Sequence, residues 1–114
     1  MKFSGALKLN HIFRRLYKTK GVANSHLVLY ARPNHSDRNR VGITVSKKLG
    51  GAVVRNRARR RLREVYRLNE ALFKPGFDIV VVARSKSVDA PFPMLVKAYL
   101  SLAEKAGILG EQPQ

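Results

Sequence analysis

Phe77-Asp78-Ile79-Val80-Val81-Val82-Ala83-Arg84 is nearly continuous in isoleucine and valine. A short β-branched run without polar alternation reads as a strand covered on both faces. Pro75-Gly76 marks a turn in front of it. Before the turn, from about Ala52 to Leu72, Val54, Ala58, Leu62, Val65 and Leu72 fall on one helical stripe. Gly50-Gly51 breaks the chain ahead of that helix. Further back, Arg40 to Ser46 alternates as a strand, with Val41, Ile43 and Val45 toward a core and Gly42, Thr44 and Ser46 on the opposite face. Strand, helix, strand is a crossover unit, so the strands around Thr44 and Val81 are expected to be parallel.

Outward from this unit, His26 to Ala31 reads as another strand, with Leu27 and Leu29 on one face and His26, Val28 and Tyr30 on the other. Pro33 to Asp37 is a turn or loop. Lys8 to Lys20 reads as a first helix with Leu9, Ile12 and Leu16 as its core stripe, Phe13 and Tyr17 sharing the flank, and Gly21 as its stop. A last helix, about Phe92 to Lys105, carries Leu95, Tyr99, Leu102 and Ala106. At 114 residues the chain is expected to form one domain, with a core from about 8 to 106 and a frayed tail over 107–114.

The helix of the crossover unit is unusual in charge. Arg55-Asn56-Arg57-Ala58-Arg59-Arg60-Arg61-Leu62-Arg63 places six arginines in nine residues. A solvated helix normally alternates signs to gain pairs one turn apart. Here Arg55, Arg59, Arg63 and Arg67 stack like charges at that spacing, with only Glu64 and Glu70 for relief. Guanidinium forks match phosphate oxygens two at a time, so a polyanion that offsets this repulsion is the better account. The whole chain agrees: 23 Lys+Arg against 7 Asp+Glu give a net charge of +16, a field that draws in nucleic acid. Arg61 sits toward the apolar flank and is expected to snorkel.

An open polar sheet face, Gly42, Thr44 and Ser46 beside Tyr30, has the character of a groove floor. Phe13, Tyr17 and Tyr30 fit equally a core or a set of stacking platforms for unpaired bases, and Arg14, Arg15 and Lys18 beside the first two shift the balance toward the latter. Lys47-Lys48-Leu49-Gly50-Gly51 lacks the spacing of a nucleotide-binding loop and reads as a turn with glycine at the helix N-cap. His11, His26 and His35 have no metal-ligand spacing. With no cysteine, no paired carboxylates and no Ser-His-Asp set, the chain is expected to bind no metal and to leave any chemistry to another molecule. No apolar run reaches membrane-spanning length and the first residues lack an apolar signal segment, so a cytoplasmic protein without membrane association is expected.

Val45-Ser46-Lys47-Lys48, Gly50, Ala52-Val53, Arg55-Asn56-Arg57, Arg60, Leu62-Arg63-Glu64 and the Gly76, Asp78 to Arg84 stretch resemble the bacterial ribonuclease P protein subunit. Phe13 and the Leu27-Val28-Leu29-Tyr30 strand fit too, and the likeness covers roughly residues 8 to 106. The resemblance implies an α/β sandwich: a four-stranded sheet with about three helices and a left-handed βαβ crossover carrying the basic helix, against the usual hand. It implies a protein, monomeric and one per RNA, that binds a large catalytic RNA and assists removal of the 5′ leader from precursor tRNA. The RNA would carry the chemistry and require Mg2+. Lys47, Lys48, Arg55, Asn56, Arg57, Arg59, Arg60, Arg63 and Arg67 would meet the catalytic RNA. Phe13, Arg14, Tyr17, Tyr30, Thr44 and Ser46 would meet the leader. Tyr17 stands where an aromatic without a hydroxyl is common, Arg59 where lysine is common, and Gly51 where asparagine often caps the helix. A structural RNA-binding protein of ribosomal type and a DNA-binding architectural protein are the competing classes.

Overall fold

The computed structural model describes residues 4–6 and 10–110, with side chains from Arg14 onward. The sheet consists of β1 (Ser4–Ala6), β2 (Val22–Ala23), β3 (Leu27–Pro33), β4 (Asn39–Thr44) and β5 (Phe77–Ala83), in spatial order β1-β4-β5-β3-β2. β5 is central. It runs parallel to β4, with Ile43 opposite Val81 and Thr44 opposite Val82, and antiparallel to β3, with Tyr30 opposite Val80. Its position explains its composition: Ile79, Val81 and Ala83 are buried on one face, and Val80 on the other. Four strands are expected and five form: β1 is a three-residue strand parallel to β4, too short to leave a periodic signature.

Two helices cover the first face. α2 (Ala52–Asn69) forms the crossover from β4 to β5, and α3 (Phe92–Lys105) follows β5. Ala58, Leu62 and Val65 of α2 pack with Leu95, Tyr99 and Leu102 of α3 over Leu27, Leu29, Val41, Ile79 and Val81. Tyr66, one turn beyond Leu62, is wholly buried and completes the α2 stripe. Val54, expected in that stripe, is instead 37% exposed. It lies in the first helical turn, close enough to Gly50 that a Cβ there would come within 3.0 Å of the Val54 side chain.

α1 (Asn10–Tyr17) covers part of the second face through Leu16, which packs with Val80, Tyr30 and Val82. It stops short of the expected Lys20 because Thr19 folds back: its hydroxyl and its N–H both donate to the Leu16 carbonyl, at 2.6 and 3.0 Å. Lys8 and Leu9, and the Ile12 side chain, lie outside the described residues. Gly21 has a different role from the expected stop: a Cβ there would come within 2.6 Å of Tyr30 Cε1, so the bare backbone lets that ring lie against it.

Residues 107–110 are tied down, contrary to the expected frayed tail. Ile108 is buried, its carbonyl accepts from Lys74 N at 2.8 Å, and Gly110 N donates to the Leu72 carbonyl at 2.7 Å. Ile108 is apolar enough to return to the core after Gly107 turns the chain at φ +75°. Residues 111–114 lie outside the described residues.

Candidate nucleic-acid interface

Ser46 leaves β4 and caps a 3-10 turn, Lys47–Leu49, by accepting from Lys48 N at 3.2 Å. The turn holds Lys47 and Lys48 exposed beside the start of α2. Gly51 is the N-cap of α2 and offers no side-chain bond, so the loss expected from a glycine at this position is present.

The packing of α2 sorts its arginines. Arg57, Arg60 and Arg63 are exposed, while Arg55 and Arg59 are half-buried. Arg59 Nη1 donates to Asn56 Oδ1 at 2.9 Å, which gives Asn56 a positioning role. Arg67 forks onto Glu64, with Nε–Oε2 at 3.0 Å and a second bond from Nη2 to Oε1. That hydrogen bonding holds the Glu64 carboxyl below its ordinary range. Arg61 is diverted from the surface: Nη1 donates to the Val88 carbonyl at 3.1 Å and Nη2 to that of Ala90, tying α2 to the loop before α3. Burial lowers its pKa, with Arg57 adding to the effect. The outward face of α2 is thus cationic through Arg57, Arg60 and Arg63, with Lys47 and Lys48 at its N-terminal end.

The second sheet face carries the other set. Strand register aligns three rows there: Val28-Val82-Thr44, Tyr30-Val80-Gly42 and Arg32-Asp78-Arg40. Tyr17, 43% exposed at the end of α1, meets Tyr30 edge to face, with centroids 5.2 Å apart and planes at 88°. Its hydroxyl lies 3.1 Å from Thr44 Oγ1, so Tyr17 spans from α1 to β4. Arg14 is exposed on α1. Phe13 stands one turn before Tyr17, with its side chain outside the described residues. The Ser46 hydroxyl is engaged in its cap.

The structure therefore brings Tyr17, Tyr30 and Thr44 together on one face of the sheet and sets α2, with Arg57, Arg60 and Arg63 exposed, over the other, while Lys47 and Lys48 lie in the turn that leads into α2. Sequence reasoning overlooked Asn39 and Asp78, two buried polar residues. Asn39 Nδ2 donates to Tyr66 Oη at 3.1 Å and to the Lys74 carbonyl at 3.0 Å, while its Oδ1 accepts from Phe77 N at 2.8 Å. Asp78 receives both Nε and Nη2 of Arg40 at 2.7 Å. An acid inside an otherwise apolar run was the one available signal for the latter. Among the described residues no three His, Asp or Glu side chains gather as metal ligands, and no helix is long and apolar enough to cross a membrane.

An α/β sandwich with an arginine-rich crossover helix on one face and the Tyr17–Tyr30 pair on the other defines a class of basic proteins suited to a polyanion. Comparison with known proteins narrows the class. The family profile described as Ribonuclease P matches residues 1–107. The ribonuclease P protein component of Clostridioides difficile (strain 630) is 48% identical over 104 residues, covering 90% of this chain and 91% of that protein. The solved RNase P protein of Staphylococcus aureus superposes with a TM-score of 0.82 at 34% identity, covering 92% of this chain and 97% of that one. That of Thermotoga maritima gives 0.81 at 33%, covering 88% and 96%. The chain belongs to the ribonuclease P protein family. It is a protein subunit of that tRNA-processing ribonucleoprotein, whose ribonuclease activity resides in the RNA part.

Proposed function

We propose that the outward face of α2 docks on the catalytic RNA while the groove beside α1 holds the single-stranded 5′ leader of precursor tRNA. The observation that carries the first half is the sorting of charge on α2. Arg57, Arg60 and Arg63 stay exposed, and the helix's ion pair joins Arg67 to Glu64. Repulsion among these cations costs folding stability, and phosphate contact offsets it. Lys47, Lys48, Arg55, Asn56, Arg59 and Arg67 belong to the same contact surface, Asn56 through its hold on Arg59.

The leader half rests on Tyr17 and Tyr30, whose perpendicular rings offer flat surfaces for bases in a cationic setting. Thr44, Ser46, Arg14 and Phe13 complete it. The protein supplies binding and orientation, and Mg2+ belongs to the RNA. One protein acts per RNA, in the cytoplasm.

Reconstitution with a bacterial ribonuclease P RNA at low magnesium, scoring cleavage of precursor tRNA, tests this reading. The protein should restore cleavage that the RNA alone fails to sustain, and should cleave nothing by itself. Robust cleavage by protein freed of RNA with nuclease overturns it.

A further inference from the structure

Beyond the aromatic pair, the groove face ends in the row Arg32-Asp78-Arg40. These residues, with Arg15 of α1, Asn34 and His35, line a pocket of about 180 Å³. Asp78 is 4% exposed and its acceptors are occupied: Arg40 takes both oxygens at 2.7 Å, and Asn34 Nδ2 donates to Oδ1 at 3.1 Å. One carboxylate therefore offsets one of three arginines. Arg15 and Arg32 form no ion pair among the described residues. A concave site lined by two uncompensated guanidinium groups and a histidine suits an anion.

We propose that this pocket seats a phosphate of the leader backbone, upstream of the nucleotides at Tyr17 and Tyr30. The proposal rests on the leader reading of the groove. Its place along the strand follows from the sheet. β4 runs from Arg40 to Thr44 and then into Lys47 and Lys48, so the Thr44 row lies nearest those two lysines of the proposed RNA-docking surface and the Arg40 row farthest from them. Tyr30 and Arg32 are neighbours on one face of β3, roughly 7 Å apart, about one extended nucleotide. The aromatic rings meet bases nearer the cleavage site, and the arginines hold the backbone that continues away from it. Asp78 acts as a positioning residue. It fixes Arg40 and leaves Arg32 and Arg15 to the ligand.

The test compares the holoenzyme carrying Arg32→Ala, and separately Arg15→Ala, on precursors whose leaders either reach only the aromatic pair or extend well past it. Both variants should bind the long-leader precursor about tenfold more weakly and with a salt slope smaller by about 0.7, the weight of one single-strand phosphate. Both should bind the short-leader precursor, mature tRNA and the catalytic RNA as the unaltered protein does. Arg15 is exposed, so its replacement tests the pocket even where loss of Arg32 disturbs β3. Arg32→Lys should recover most of the loss. Unchanged long-leader affinity, or a loss equal at every leader length, overturns the proposal. Tyr30→Ala measured alongside separates the two ideas. If it abolishes precursor preference while the arginine variants are silent, the phosphate seat alone falls. If Tyr30→Ala and the arginine variants all keep the full preference for precursor over mature tRNA, the groove reading falls with it.

Discussion

Tyr99 sits wholly buried among Tyr66 and Phe73, and its hydroxyl lacks a hydrogen-bond partner among the described residues. An unpaired buried hydroxyl costs stability, so Tyr99→Phe should raise the unfolding free energy by about 1–2 kcal/mol in urea titrations. A destabilised variant would show that the hydroxyl is bonded after all. Burial, with Tyr66 nearby, also pushes this hydroxyl far above its ordinary range. Above about pH 10 the unfolded chain releases the proton and the folded chain keeps it. The folded state then binds more protons, and stability falls as pH rises. Tyr99→Phe should reduce that alkaline loss, read as a smaller difference between denaturation midpoints at neutral and alkaline pH. Asn39 is the opposite case, with donors and acceptor all used to join β4, α2 and the start of β5. Asn39→Ala strands the Phe77 N–H and the Lys74 carbonyl, and should cost about 2–4 kcal/mol in the same titration.

At the scale of elements, α2 divides its arginines between two tasks, and substitution should separate them. Arg60→Ala with Arg63→Ala should flatten the dependence of log affinity for the catalytic RNA on log salt by about one to two units. Arg61→Ala should leave that slope nearly unchanged and instead lower stability by about 1–2 kcal/mol, because the Val88 and Ala90 carbonyls lose their donor. An unchanged slope in a folded double variant removes this face from the interface. The reach of sequence reading follows the same division. The start of α2, both bounds of α3, the both-face burial of β5 and its parallel pairing with β4 were legible because periodicity and Gly/Pro punctuation are local signals, whereas α2 ends at Asn69 and gives way to a 3-10 turn over Glu70–Leu72, short of the expected Leu72. That Arg61 leans toward the apolar side was legible too. Its partners were not, since they lie 27 and 29 residues downstream and meet it only through tertiary packing. Asn39 and Asp78 were hidden for the same reason, and the early end of α1 turned on one threonine hydroxyl. In the groove, spacing placed Tyr17 and Tyr30 on the right faces but left core and platform equally open. The structure shows them in contact, with Tyr30 also packed on Leu16 and Val80.

For the whole molecule, the sheet keeps the two proposed binding surfaces apart, so their contributions should separate in experiment. If the α2 face neutralises about five phosphates, the slope of log affinity for the catalytic RNA against log salt should be about −3.5 to −4.5. Changes in the groove should leave that slope alone. Stacking on one aromatic ring is worth roughly 1–3 kcal/mol, so Tyr30→Ala should weaken precursor binding about five- to a hundredfold. Tyr30→Phe keeps the flat ring and should be mild. Tyr30 also supports α1, so a melting curve must accompany the assay, and Tyr17→Ala, at a more exposed ring, provides a second route to the same surface. The decisive measurement is the preference of the holoenzyme for precursor over mature tRNA. The unaltered protein should favour the precursor, and folded Tyr30→Ala should lose most of that preference while holding the catalytic RNA as tightly as before. Parallel loss of both affinities would mean that the groove and the arginine helix act as one surface, and that the sheet does not insulate them.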